Sequence, residues 1–360
     1  TGFIPVPDRW RLIETIGVLE SLSDPYNRNP IKGDRPLFGK DWFINLAVIS
    51  DTVFEPRSFP TPIGVQSTRD ENGLDLFGGA DQFIFNENLI ISLSLIKGDT
   101  AFKPPDYEFR LTPIINFNYA EVEEVRVLKA DPRLGTERAD RHFTLAEAFF
   151  DYHIRNVSDR YDFDSVRIGI QPFSSDFRGF LFQDSQLGLR FFGDRSNNIF
   201  QYNLAWFRRL EKDSNSGLNH IQRKIRDDDI FIANLYWQDF PTLGFQSQVT
   251  GIYNRNNEAG DFFFNDNDFI ERPASFGSER GRNYDVGYLG YNGDGHFGRL
   301  NLTTSFYTAL GSNRDSAFTD ETADIQAFFF AAEPSIDFDW VRLRASIVYA
   351  SGDDDPFDSK

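Results

Sequence analysis

YEFRLTPIINFNY, residues 107–119, keeps a period of two from end to end. Tyr107, Phe109, Leu111, Pro113, Ile115, Phe117 and Tyr119 share one parity. Glu108, Arg110, Thr112, Asn116 and Asn118 share the other, and only Ile114 is out of step. Successive side chains of a strand point to opposite faces, so the stretch reads as one strand with an apolar face and a wet face. It is long beside the roughly 5–6 residues usual in soluble sheets, and it suits the roughly 9–11 residues with which a tilted strand crosses a bilayer. Pro113 is discordant, because a central strand needs every backbone donor; a bulge or a missing ladder bond is expected there.

The same beat runs through the chain from Asp41 onward. Strands are predicted over residues 42–54, 88–96, 107–119, 143–154, 165–173, 186–192, 199–209, 229–237, 244–253, 284–291, 298–310, 323–331 and 340–350, about thirteen in all. Composition agrees. Phe occurs 39 times and aromatics make up 16% of the chain, yet the mean hydropathy is −0.43, so apolar residues are dispersed among polar ones as alternating strands require. No run approaches the roughly 20 apolar residues of a membrane-spanning helix. The net charge of −18 argues against a nucleic-acid partner. The absence of Cys excludes disulfides, thiolate metal sites and Cys nucleophiles. No physical reason for the absence of Met is evident. The chain carries neither an initiator Met nor a signal peptide, and a mature, processed protein is expected.

The connections alternate between long (55–81, 121–142, 174–185, 211–228, 254–283) and short (97–106, 156–164, 193–198, 238–243, 292–297, 333–339), with 311–322 intermediate. Up-and-down transmembrane barrels have this rhythm, whereas the Greek-key crossings of a soluble sandwich would scramble it. The fold class expected is therefore all-β, an antiparallel up-and-down transmembrane β-barrel over residues 41–360. Residues 1–40 stand apart as a short periplasmic segment or plug. Within it RWRLIETIGVLESL suggests one short helix before SDPYNRNPIKGDRP breaks the pattern. An odd strand count and an acidic tail, SGDDDPFDSK, suggest that further strands belong after residue 360 and that the tail begins an extracellular loop.

EAFFDYH (147–153), RIGIQPFSSDFRGFLFQDSQLGLRFFG (167–193) and YASGDDDPFD (349–358) resemble segments of large Gram-negative outer-membrane barrels of porin type. The group they resemble is the alginate-export-like porins, over most of residues 41–360, through motifs that mark such barrels in general. The resemblance implies an outer-membrane channel whose chain continues beyond a segment like SGDDDP. An alginate exporter's lumen is strongly basic and this one is mixed, which points away from polysaccharide export.

On the inward parity fall Arg110, Arg167, Arg190, Arg299, Arg342 and Arg344, with Glu108, Glu147 and Asp151. Arginines facing carboxylates across a lumen would set up a transverse field favouring anionic or polar solutes; alternatively the charges pair to fill a narrow pore or hold a plug. Tyr107, Tyr119, Tyr152, Trp206, Tyr253, Trp340 and Tyr349 sit near strand ends, where aromatic girdles form. Acidic loops that include Asp266, Asp268, Asp353 and Asp354 could hold Ca²⁺ weakly through oxygen ligands, although none has the spacing of a known calcium loop. Otherwise no cofactor is expected. The four histidines are too scattered for a metal site. His153 beside Asp151 or Glu147 lacks a marked nucleophile, so the chain is read as non-enzymatic.

The function expected is passive diffusion of small hydrophilic solutes, anionic ones or saccharides among them, through an Arg-containing lumen. Partners would be outer-membrane lipids and lipopolysaccharide, small polar solutes, and an unidentified periplasmic or surface protein. The alternatives are an occluded barrel that acts as a scaffold or exports exopolysaccharide and, further off, a barrel hydrolase.

Overall fold

A computed structural model describes residues 16–17, 29–33, 35–59, 61, 80–98, 104–160, 162–273, 281–316, 318–319, 321–352 and 355. The helix expected near residues 10–22 and the acidic pair Asp353 and Asp354 lie outside the described residues, apart from Ile16 and Gly17.

The strands are β1 (Trp42–Ser58), β2 (Asp81–Lys97), β3 (Tyr107–Val122), β4 (Glu137–Asn156), β5 (Phe163–Ser174), β6 (Gln183–Arg195), β7 (Phe200–Arg208), β8 (Asp228–Trp237), β9 (Phe245–Asn257), β10 (Phe263–Phe264), β11 (Ile270–Arg272), β12 (Asn283–Phe297), β13 (Leu300–Asn313), β14 (Ala323–Phe338), β15 (Val341–Arg344) and β16 (Ile347–Ala350). All but β10 and β11 join one antiparallel meander in which each strand pairs with its chain neighbours. β10 and β11 form a small ribbon inside the connection from β9 to β12. The predicted thirteenth strand is present but broken: β15 and β16 both pair with β14, on either side of Ala345 and Ser346. Among the described residues the only helical turn is the 3-10 turn Pro132–Leu134, and no helix is long and apolar enough to cross a membrane.

The two faces of the sheet differ as the alternation predicts. On β3 the odd side chains Phe109, Leu111 and Phe117 are 41–45% exposed, while Thr112, Asn116 and Asn118 on the even parity are at most 7% exposed. Ile114, the residue out of step, faces inward and is buried. Large apolar residues lie bare along the other strands too, among them Ile168, Leu204, Val249, Leu289, Phe306 and Leu310. Water would not tolerate so continuous an apolar exterior on a monomer, whereas lipid rewards it. This is the wall of a transmembrane-type up-and-down barrel.

Curvature is fixed by contacts that cross the interior. Arg178, just after β5, pairs with Glu333 on β14 at 3.0 Å, and Phe180 packs on Phe329 of β14 at 4.9 Å. These strands are far apart in the sheet order, so the wall must curl around the connection that bears both residues. The two edges are β1 and the β14–β16 end, and among the described residues no pair joins them. Near its start β1 is flanked by the segment before it: Leu46 N–H donates to the Ile31 carbonyl at 2.7 Å, and Lys32 bridges Asn45.

The disruption expected at Pro113 is present in both ladders. Toward β4 the register slips, with Thr112 opposite Glu147 but Pro113 opposite Leu145, so Ala146 is an extra residue. Toward β2 the pairing skips from Ile90–Ile114 to Leu93–Leu111. The connections keep their rhythm. Among the described residues, connections 123–136, 175–182, 209–227 and 258–273 leave the strands at one end of the sheet, and 157–160, 196–199, 238–244, 298–299 and 339–340 at the other.

Candidate functional site

The bulge at Ala146 positions the charged wall. Above it Arg138, Asp140, His142 and Thr144 of β4 face inward on even numbers; below it Glu147, Phe149 and Asp151 do so on odd numbers. A one-residue slip exchanges the faces of a strand. Without the extra residue, either the upper or the lower polar set would meet lipid. In the register that results, Glu108 on β3 faces Asp151 on β4, Asp151 faces Arg167 on β5, and Arg167 faces Arg190 on β6. Four charged residues thus share one rung.

Their pairing is uneven. Arg110, half a turn of pleat away, bonds Glu108 at 2.6 Å, lies 3.7 Å from Glu147, and donates to Ser94 Oγ at 3.1 Å. Arg167 contacts Asp151 through both Nε and Nη2 at 2.8 Å. Arg190 donates Nε–H to Asn203 Oδ1 at 2.7 Å, and among the described residues it makes no ion pair. Carboxylate therefore accumulates at β3–β4, and positive charge without an ion-pair partner at β6. Aromatic rings separate the guanidiniums. Phe149 lies 5.4 Å from Arg110 and 4.2 Å from Arg167; Phe192 lies 5.6 Å from Arg167 and 4.3 Å from Arg190; Phe173 is 5.2 Å from Arg190. Such rings hold a guanidinium flat and keep its edge available for in-plane hydrogen bonds.

The connection 175–182 runs over the inner face to β8, β9 and β14. Asp176 Oδ1 accepts the backbone N–H groups of Arg178, Gly179 and Phe180 at 2.8, 2.5 and 3.2 Å, closing the loop on itself. Gly179 has φ of +69°, and a Cβ there would stand 2.2 Å from Gln183, so the turn requires glycine. The Ser175 carbonyl accepts from Gln248 at 2.7 Å and from Asn234 and Thr250 at 3.3 Å, which ties the loop to β8 and β9. Phe182 packs against Phe207 and Phe173, and with Ala205, Ile230, Ile232 and Ile252 they form a small dry core inside the barrel. Tyr307 O–H donates to Asn292 at 2.8 Å, and Asn292 donates to Gln248 at 3.1 Å. These buried amides satisfy one another, as a buried polar network must.

At the rim of long connections, 209–227 and 258–273 form a lid reaching to β4. His142 Nε2–H donates to the Asn219 carbonyl at 2.9 Å, Asn215 donates to Asp140 at 2.8 Å, and Asn219 donates to the Ser185 carbonyl at 2.8 Å. Arg272 clasps Glu211, and Arg226 clasps Glu258 at 2.7 and 3.0 Å. Burial opposes charge on Glu258, but the Arg226 contacts outweigh it and hold the carboxyl below its usual range; the same pairing raises Arg226. His220 packs edge-on to His142 at 4.9 Å, and burial, then His142 and Arg223, lower its pKa.

The structure brings together Arg110, Arg167, Arg190, Glu108, Glu147 and Asp151 of the expected wall residues. Arg299 does not join them: it is exposed in the two-residue turn between β12 and β13, because the strand begins at Leu300 and alternation stops before the turn. Arg342 and Arg344 are on the inward parity of β15 but lie in a separate hollow of about 310 Å³ at the short-turn rim, where Arg342 pairs with Asp337. At that rim Tyr107 stacks on Tyr152 at 5.4 Å and Lys97 lies over Tyr107; Trp340 stands 93% exposed in the last short turn. Toward the other rim Tyr119 donates to Glu121, Trp206 to Asp229 and Tyr253 to Asp285, and Tyr349 stacks on Phe328. Asp266 is taken up by Arg223, with His220 at 4.0 Å, and Asp268 occupies a positive-φ turn; among the described residues no three metal-ligating side chains converge. Sequence reasoning missed Phe149, Phe173, Phe192 and Asn203, and the inward course of 175–182. The signal was available: Phe177, Phe180 and Phe182 are three aromatics in a connection, and a solvated loop has no use for them.

No family model and no curated protein sequence matches the chain. Among solved structures it is similar to the high-pH structure of Pseudomonas putida OprB, with a TM-score of 0.38 and 11% identity over 83% of this chain and 72% of that one.

Proposed function

We propose that the chain is an outer-membrane channel for passive diffusion of small hydrophilic solutes, anionic ones and saccharides among them. The observation that carries this reading is the rung Glu108, Asp151, Arg167 and Arg190, set on the inner face of a wall whose outer face is apolar. A charged, ring-spaced wall facing a passage favours hydrated polar solutes and sorts them by charge. β1 begins at the rim of short turns, which supports a periplasmic N-terminal side with the long connections facing outward, as in up-and-down outer-membrane barrels. The polar tips of Tyr119, Trp206 and Tyr253 suit the headgroup level, where lipopolysaccharide would be the neighbour. A hydrolase reading is not supported, since His153 bonds Asn156 at 2.9 Å and Asp151 is committed to Arg167.

The lid and the inserted loop favour one competing reading, an occluded barrel that serves as a scaffold. Planar-bilayer recording of the full-length protein separates the two. Discrete ion-conducting steps are expected, and a barrel that inserts without carrying current would sink the channel.

A further inference from the structure

We propose that Arg190 anchors a binding subsite in the lumen for small organic monocarboxylates that carry an apolar face. The proposal rests on the channel reading for access, but its chemistry is local. Arg190 and Arg167 are directly opposed across β5 and β6, and like charges at such positions destabilise a sheet. Asp151 answers only Arg167, through a two-point contact. Arg190 has one neutral acceptor, Asn203 Oδ1, on its Nε, and among the described residues its two terminal nitrogens have no hydrogen-bond partner. Asn203 is itself pinned, donating to Asn234, which in turn donates to the Ser175 carbonyl of the inserted loop. The guanidinium is thus held in place, flanked by Phe192 and Phe173, with its terminal edge unsatisfied.

A wall that keeps a poorly hydrated guanidinium without a counter-ion beside a second guanidinium bears a cost that a bound anion removes. The charge balance selects the anion. Arg110 answers Glu108 and Glu147, and Asp151 answers Arg167, so the unpaired positive charge is local to Arg190, and a monocarboxylate matches it one for one. Geometry selects further, because the fork of an arginine matches the two oxygens of a carboxylate. Phe192, 4.3 Å from the guanidinium and only partly buried, supplies apolar surface for the rest of the molecule. A polyhydroxylated neutral sugar would use neither the charge nor the ring.

The test uses full-length protein with benzoate as the probe, read by single-channel current and by calorimetric titration in detergent. Benzoate is expected to bind and to block current. Arg190→Gln should weaken both by at least about tenfold, the effect of losing a charge-assisted two-point contact. Arg190→Lys keeps the charge without the fork and should fall between; it also stands in if the glutamine variant fails to insert. Arg299→Gln, in its exposed turn, should change nothing. Benzoate binding unchanged by either Arg190 variant, no benzoate binding to the parent protein, or phosphate bound as tightly as benzoate would each overturn the subsite. A parent protein that binds benzoate through Arg190 but carries no current would overturn the channel and support the subsite.

Discussion

The inner wall has two unlike halves. From β3 to β6 it carries long charged side chains spaced by phenylalanines, with Arg110 34% exposed and Arg167 18%. From β7 through β14 it carries amides and aliphatics, and residues such as Phe207, Gln248, Thr250 and Asn292 are fully buried because 175–182 lies over them. Both halves show the same apolar exterior. Lipid presses uniformly on the outside, so every strand answers alike, while the inside is free to differ. One half is a packed interior, and in the channel reading the other lines the passage. The arginine-bearing rung is on the less packed half, whereas the packed half buries a carboxylate where guanidiniums meet it, as Asp228 meets Arg209 and Arg226.

Phe207→Ala gives the largest expected contrast. Phe207 is the centre of the dry core, touching Phe173 and Phe182, and its loss should cost about 3–5 kcal/mol and unseat the loop. Phe192→Ala on the wet half should cost only about 0.5–2 kcal/mol, the worth of its guanidinium contacts. Urea unfolding in vesicles measures both, and conductance should rise in the Phe207 variant alone. Equal costs would erase the distinction between the halves.

Next in size is Asp151→Asn. The change leaves Arg167 without its carboxylate and should cost about 1.5–3 kcal/mol of hydrogen bonding to a charged group. It also adds a positive charge to the lumen, so the reversal potential in a salt gradient should move toward anion selectivity. The same change at Asp229, which faces outward and accepts from Trp206, should leave selectivity alone. A shift of equal size from both would mean that the rung does not line the pathway.

These contrasts also separate what the sequence discloses from what it hides. The beat of β3, the inward Ile114 and the break at Pro113 are local: each follows from which neighbour points to lipid and which residue lacks a backbone donor. The cross-rung order of Glu108, Asp151, Arg167 and Arg190 is not local, because it depends on an extra residue at Ala146 that shifts one strand past another. Parity counting placed Arg299 on the wall because it ran the alternation through Gly298 and Arg299, a turn that a two-residue hairpin closes. The inserted loop was hardest to see. SSDFRG announces a side-chain-capped turn, with Asp before Gly, but its partners on β8, β9 and β14 are far along the chain.

Acid should act on the lid before it acts on either half of the wall. His220 has its pKa lowered below 6.5, first by burial and then by His142 and Arg223, with Asp266 and Asp213 opposing. Between that lowered value and 6.5 the opened loop binds the proton that the closed one refuses, so lid stability rises with pH and falls as pH drops through this window. From about pH 8 to about pH 5, amide exchange in 209–227 should quicken while exchange in β3 and β4 stays slow. His220→Gln should flatten the dependence. A profile that follows instead the acid range of Glu258, whose carboxyl is held low by Arg226, would assign the latch to that ion pair.

The smallest effect is expected at the residue that first looks most disruptive. Pro113→Ala restores a backbone donor on β3 and removes the apparent reason for the bulge, yet the bulge should persist. Its register is held from both ends. Above it Asn116 faces His142 and Asn118 faces Asp140 on the wet side; below it Thr112 faces Glu147 and Glu108 faces Asp151. Straightening the pair by one residue would turn one of these sets toward lipid, at about 2–4 kcal/mol for a single basic side chain near the midplane and less for a carboxylate. One recovered hydrogen bond is worth about 0.5–1.5 kcal/mol and cannot drive that exchange. Stability should therefore change by less than about 1 kcal/mol, and selectivity should not change at all. If anion preference collapses in Pro113→Ala, the proline itself sets the register, and the charged half of the wall depends on one missing N–H.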